Sequence, residues 1–248
     1  MTDCDFHIHT TFCDGTDSAE DIVREAIRKK MKRLGFSGHS YTFFDESYCM
    51  SKSGTEEYKA EINRLKEEYR ADIDILCGIE QDFYSKEPTD GYDYVIGSVH
   101  YIKKNGEYFP VDESAEILLN AAKKHYGGDM YALAEDYFET VSQAAEKTNA
   151  DIIGHFDLIA KFNETHNLFD EKNQRYTAAY KKAVDKLLAY NIPFEINTGA
   201  ISRGYRKTPY PNTDILKYIR EKGGKTILSS DSHSKETLCF GFDKYMKG

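Results

Sequence analysis

The chain has 248 residues, with 33 Lys+Arg against 42 Asp+Glu for a formal charge of −9, and is 40% hydrophobic and 30% charged. That length predicts one domain, residues 1–248, with its own core; the composition excludes extended disorder, and no apolar run reaches the roughly 18 residues of a membrane span. Five cysteines, Cys4, Cys13, Cys49, Cys77 and Cys239, never spaced CxxC, predict reduced thiols, and an acidic start in place of a basic, then apolar leader predicts a cytoplasmic protein.

In chain order, the apolar run 3–8 predicts a first strand. Residues 18–33 predict a helix, with Ser18 as cap, Glu20 and Asp21 in its first turn, and Ile22, Val23, Ala26, Ile27 and Met31 at helical spacing. The basic run 28–33 complements the helix dipole and is read as a solvated helix end, not as a nucleic-acid patch. Strand 33–38, helix 55–70 and strands 73–79 and 94–99 follow. Two helices, 113–126 and 131–148, fill the interval before strand 152–154. Helix 170–190, strand 193–196, helix 213–222 and strand 225–228 complete the series, with Gly223-Gly224 stopping the last helix. Short apolar runs alternating with amphipathic segments are repeated βα units, so the expected class is α/β with a parallel sheet.

Polar residues stand at the C-terminal ends of these runs. They are His7-Ile8-His9, Gly38-His39-Ser40, Gly78-Ile79-Glu80, Val99-His100, Gly154-His155, Glu195-Ile196-Asn197 and Asp231-Ser232-His233. In a parallel barrel those ends converge on one face, where such enzymes build their sites. His7 and His9, two apart in a strand, share a side, and Asp231 and His233 repeat the spacing. One strand-end histidine is more often a hydrogen-bonded core residue; six in concert point to metal. With Glu80 and Asp231 they form a nitrogen and oxygen set without thiolate, suited to zinc, manganese or iron and larger than one tetrahedral ion uses. His125, inside a helix, and His166, in a polar loop, are read as non-ligands.

In this order the motifs HxHT, GHS, a strand-end Glu, SVH, GHFD and a late DSH resemble the polymerase-and-histidinol-phosphatase (PHP) superfamily, from Phe6 to His233. The text around Ser98-Val99-His100, Gly154-His155-Phe156-Asp157 and Asn197-Thr198-Gly199 is similar to its histidinol-phosphatase branch. The resemblance implies a distorted (β/α)7 TIM-like barrel holding two to three divalent ions in a trinuclear centre. It implies that His7, His9, Glu80 and Asp231 bind the first ion, that Glu80 bridges to a second held by His100 and His155, and that His39 and His233 take the third. Many relatives carry a further His soon after HxH; here Asp14 is the nearest substitute.

The implied reaction is hydrolysis of L-histidinol phosphate to L-histidinol and inorganic phosphate, a late step of histidine biosynthesis. Attack is by a metal-bridging hydroxide, with Glu80, Asp231 and His233 catalytic and the last two placed for proton transfer. Arg203, then Arg206 and Lys161, are candidate phosphate ligands, because a guanidinium fork matches two oxygens, although a loop cation is by default a solvated charge. Ser40 is a further candidate substrate contact. Asp45, Glu46, Glu113 and Asp157 are candidates for the cationic end of the substrate. Phe43, Phe44, Tyr101 and Phe162 could stack on imidazole, against core packing as the ordinary role of such rings. The alternative is a PHP phosphoesterase acting on nucleotides or nucleic-acid ends, which the acidic balance and absence of a basic patch disfavour. Amidohydrolase barrels also open with HxH, but carry a carboxylated Lys or an extra His on a middle strand where this chain has Glu80. Neither nucleic acid, membrane nor an obligate protein partner is expected.

Overall fold

The six longer helices begin where the sequence supplies a capping oxygen. Ser18, Ser51, Ser114, Asp129, Asn173 and Asn212 each accept a backbone N–H from the first turn that follows, satisfying donors that have no partner within a helix. The computed structural model describes residues 4–246, so Asp3, where the first expected strand opens, lies outside the described residues. In chain order the first half contains β1 (Cys4–Asp5), α1 (Ala19–Arg28), β2 (Arg33–Phe36), α2 (Lys52–Glu68), β3 (Asp74–Asp82), β4 (Tyr94–Ser98), β5 (Tyr101–Lys104), β6 (Glu107–Pro110) and α3 (Ala115–Tyr126). The second half contains α4 (Met130–Val141), α5 (Ala144–Thr148), β7 (Ile152–Ile153), α6 (Asn163–His166), α7 (Gln174–Leu187), β8 (Phe194–Asn197), α8 (Gly199–Ser202), α9 (Thr213–Glu221) and β9 (Thr226–Ser229).

Seven strands form one parallel sheet in the order β1-β2-β3-β4-β7-β8-β9. Beyond the strand ends Ile8 bridges Ser232 in parallel, with Ser232 N–H donating to His7 O at 2.9 Å and His9 N–H to Ser232 O at 2.8 Å. Those bonds bring the first strand against the last, and the sheet becomes a nearly closed barrel. All seven expected strands are present.

Two departures have local causes. The expected helix 131–148 is two helices, because Ser142 Oγ and Gln143 Nε2 both bond Glu139 O, at 2.7 and 3.0 Å, and side chains that bond the backbone compete with helical continuation. A hairpin, β5 with β6, stands outside the barrel sheet. Its turn is Asn105-Gly106, both residues at positive φ, 50° and 85°. Asn-Gly is the strongest short hairpin signal, since a two-residue turn of this hand needs left-handed backbone twice.

Apolar residues divide between two shells. Ile22, Leu34, Phe36 and Ile62 pack α1 and α2 on the early strands, whereas Leu133, Phe138, Val184 and Phe194 pack α4 and α7 on the late ones. Tyr94 occupies the space within the barrel, its hydroxyl 2.6 Å from Phe6 O and 2.9 Å from Phe36 O. Its ring has room only because positions 35 and 78 are glycine: a Cβ on Gly78 would fall 2.3 Å from the ring, and one on Gly35 2.5 Å from the hydroxyl.

Candidate metal centre

Above Tyr94 the strand ends carry polar groups inward. Glu80, on β3, is 1% exposed and lies among five imidazoles. One oxygen, Oε1, is 2.8 Å from His155 Nε2 and 3.4 Å from His100 Nε2. The other, Oε2, is 2.9 Å from His39 Nδ1, 3.3 Å from His7 Nε2 and 3.6 Å from His9 Nε2. Asp231 Oδ1 stands 3.8 Å from His7 Nε2 and 3.4 Å from His9 Nε2. Its backbone is left-handed, φ 48°, a conformation Asp tolerates better than most residues.

These atoms fit a metal shell. His7 Nε2, His9 Nε2 and Glu80 Oε2 are buried and lack any hydrogen-bond partner, which is costly unless something else occupies their lone pairs. Each of these two imidazole nitrogens lies 3.3–3.8 Å from both Glu80 Oε2 and Asp231 Oδ1. Four ligands each about 2.0–2.1 Å from an ion would be about 3.3–3.4 Å apart. Overlapping sets are His7, Glu80 and His155; His7, His9 and Asp231; His39, Glu80 and His100; and His9, Asp14, His39 and His233. All eight residues expected as ligands are therefore brought together, and Asp14 joins the last set, with Oδ2 3.1 Å from His233 Nε2 and 3.6 Å from His39 Nε2.

The electrostatics follow from burial against neighbours. Burial would lower the His100 imidazole, but Glu80 and Asp82 outweigh it and push it up to about 10; His7 and His39 are raised for the same reason. His9 goes the other way, to about 3, because burial is joined by the nearby His233 and His39. Burial opposes ionisation of Glu80 and Asp231, yet the imidazoles around Glu80, and Arg203 with His7 beside Asp231, hold both carboxyls well below their usual range. Without metal, His100 is thus protonated at neutrality and His9 is not. A bound cation must displace that proton. Metal affinity is accordingly expected to rise with pH up to about 10, roughly tenfold per unit for each proton displaced. Chelator competition between about pH 6 and about pH 9 measures it, and a flat profile would contradict the assignment.

Two further carboxylates bear on the cluster: Glu195, a strand-end residue to which the sequence assigned no role, and Asp82, which it did not single out. Glu195 Oε1 is 2.6 Å from His7 Nδ1, and its Oε2 accepts His155 N–H at 2.9 Å. Asp82 Oδ2 is 3.3 Å from His100 Nδ1. Such partners fix which imidazole nitrogen faces the ion. The available signal was the two-residue strand period: Glu80 with Asp82 and Glu195 with Asn197 repeat the spacing of His7 with His9. Glu195→Gln is expected to weaken zinc affinity about 10–100-fold with the barrel intact. Chelator competition and far-UV circular dichroism measure the two, and unchanged affinity would remove Glu195 from the site.

A cavity of about 320 Å³ opens over the cluster and is lined by Asp45, Asp112, Glu113, Lys161, Arg203 and Tyr210, among others. Arg203 Nη1 donates to Asp231 O at 2.8 Å and stands 2.9 Å from His233 Nδ1. Because guanidinium only donates, that nitrogen of His233 is the acceptor. Lys161 Nζ is 3.3 Å from Asp112 Oδ2.

Other expected substrate contacts lie elsewhere. Arg206 is 4% exposed and paired with Asp157 at 3.3 Å, and Ser40 is buried with its Oγ accepting Asp82 N–H at 3.1 Å; neither lines the cavity. Glu46 accepts from the Tyr41 hydroxyl. Tyr101 lines the cavity and donates to Asp45 at 2.6 Å, whereas Phe44 stacks on Tyr108, Phe43 meets Phe44 edge-on, and Phe162 meets Tyr205 edge-on. His125 stacks on Phe109, and His166 bonds Thr165; neither is in a metal-type cluster.

Comparison with known proteins identifies the family. A family model described as the PHP domain matches residues 5–199. The chain is 30% identical to a Schizosaccharomyces pombe protein named "Probable histidinol-phosphatase", over 95% of this chain and 82% of that one. A crystal structure from Listeria monocytogenes is similar with a TM-score of 0.82 at 21% identity, covering 98% of this chain and 99% of that one. The histidinol phosphate phosphatase of Lactococcus lactis, complexed with zinc, L-histidinol and phosphate, is similar with a TM-score of 0.74 at 22% identity, covering 99% and 91%.

Proposed function

The chain belongs to the PHP domain family, and from that premise we propose that this metal-dependent phosphatase, a single domain over residues 1–248, hydrolyses L-histidinol phosphate to L-histidinol and inorganic phosphate. The observation that carries the reading is Glu80, one carboxylate among five imidazoles, under a cavity into which Arg203 also faces. The relatives named for this substrate, one of them complexed with L-histidinol and phosphate, support the choice among phosphomonoesters.

The proposed cofactor is two to three divalent ions, zinc, manganese or iron, held by His7, His9, His39, Glu80, His100, His155, Asp231 and His233, with Asp14 as a further ligand. Bound there, such ions acidify a coordinated water and neutralise phosphoryl charge. The side chains do the rest. Glu195 and Asp82 orient His7 and His100 through their Nδ1 atoms. Arg203, permanently charged and held by Asp231 O, offers its remaining N–H groups to phosphoryl oxygens. Asp231 and His233 sit at the cavity floor beside Arg203, where a proton can pass to the departing hydroxyl of histidinol. Lys161 adds positive charge, and the carboxylates Asp45 and Glu113 suit the substrate's ammonium group.

No helix of the described residues is long and apolar enough to cross a membrane; we place the reaction in the cytoplasm, acting on a small soluble substrate. The test is phosphate release from L-histidinol phosphate beside p-nitrophenyl phosphate and a short DNA strand, with metal content measured on the same sample. The expected result is a preference for histidinol phosphate of about 100-fold or more in kcat/KM, the discrimination that dedicated polar contacts provide. Activity confined to DNA would overturn the substrate.

A further inference from the structure

Tyr210 is 1% exposed, lines the cavity and carries a hydroxyl without a hydrogen-bond partner. Buried hydroxyls are nearly always paired, so an orphan at a substrate cavity marks a group whose partner arrives with the substrate. The hydroxyl of Tyr176 is also unpaired, but that ring lies against Phe138 and Phe169 in the apolar core and does not line the cavity.

The surroundings hold Tyr210 still. Its N–H donates to Asn197 O at 2.9 Å and its carbonyl accepts Asn197 N–H at 2.7 Å, which clips the residue to the end of β8. The ring lies edge-on to His155, centroids 6.3 Å apart, while the Arg206 guanidinium sits 4.7 Å from its centroid. Arg206 is in turn paired with Asp157, whose Oδ2 also accepts Asn212 N–H at 3.1 Å. The buried Arg206, offered by the sequence as a phosphate ligand, is thereby a support for this ring.

We propose that the Tyr210 phenol donates a hydrogen bond to a non-bridging oxygen of the substrate phosphoryl group and is a catalytic residue of the phosphatase reaction described above, on which this assignment rests. No hydrogen bond joins either neighbouring carboxylate to this hydroxyl: Asp157 Oδ2 is taken by Arg206 and Asn212 while its Oδ1 is itself unpaired, and Asp112 is paired with Lys161, so the phenol is left to donate into the cavity. Arg203 and Tyr210 line the same cavity.

Tyr210→Phe keeps the ring, its contact with His155 and its packing on Arg206. Relative to wild type it is expected to lose about 10²–10³-fold in kcat/KM on both p-nitrophenyl phosphate and L-histidinol phosphate, the order seen when one donor to a developing charge is removed, and to bind inorganic phosphate more weakly. Metal content and melting temperature should match wild type. Unchanged kinetics and phosphate affinity would overturn the assignment, as would a loss that tracks metal content. So would a loss confined to the alkyl ester with phosphate affinity intact, which would put the hydroxyl on the leaving oxygen. Should wild type ignore L-histidinol phosphate, the substrate reading fails separately. Calorimetry of inorganic phosphate on the metal-loaded protein, with p-nitrophenyl phosphate turnover, still decides Tyr210.

Discussion

Glu80→Gln is expected to lower kcat by about 10³-fold or more, the scale on which removing a central electrostatic group acts, and to leave the purified protein with less metal than wild type. Glutamine keeps the shape but replaces one oxygen by NH2, a donor where the neighbouring imidazoles need an acceptor or a shared cation. No other residue replaces it: each oxygen already faces two or three histidines, at 2.8 to 3.6 Å. The loss of its charge also removes the leading cause that raises His100 and His39, so the variant's metal-free site should shed protons at lower pH than wild type. Phosphate release, elemental analysis and histidine titration by nuclear magnetic resonance read the three effects. A fully metallated, active Glu80→Gln protein would remove the carboxylate from the centre of the site.

Gly78→Ala is expected to destabilise the barrel by about 3 kcal/mol or more, the upper end for overpacking a filled interior. The added Cβ would stand 2.3 to 2.6 Å from three ring atoms of Tyr94. That ring has nowhere to retreat, since its hydroxyl is bound to two carbonyl oxygens on neighbouring strands and position 35 presses on it from another side. For a chain of this length each 1 kcal/mol moves the melting temperature by about 2–4 °C. Glu80 lies two residues further along the same strand, so the shift should also reduce metal affinity. The double variant Gly78→Ala, Tyr94→Leu should recover part of the lost stability, because a smaller side chain leaves space for the methyl group. A Gly78→Ala protein melting with wild type would mean that the ring is free to move.

The clustering of the site's side chains was legible because a metal-type set combines residue types that few other roles demand together, and strand ends place them at predictable positions. His7 with His9 and Asp231 with His233 show the two-residue period directly. Glu195 and Asp82 were less visible, since a carboxylate on a strand carries no sign of which imidazole it will face. Arg206 and Ser40 misled for a related reason. A loop arginine beside a phosphate site looks alike whether it meets the substrate or pairs with Asp157, and a serine after His39 looks alike whether it points to the cavity or holds Asp82 N–H. The helix break at Ser142 and the Asn105-Gly106 hairpin turn on side-chain and backbone preferences that local pattern encodes but apolar periodicity does not register.

Local pattern was enough for the α/β alternation, the seven strands and the choice of side chains that the fold gathers into metal-type clusters, because periodicity and residue chemistry are local properties. Only the tertiary structure decided that one carboxylate, Glu80, serves five histidines from four strand ends, that Asp14 completes a cluster with His9, His39 and His233, and that Tyr210 stands unpaired beside them. Those relations join residues as far apart in the chain as His9 and His233, and they come into being when Ser232 bonds to His7 and His9 and the barrel closes.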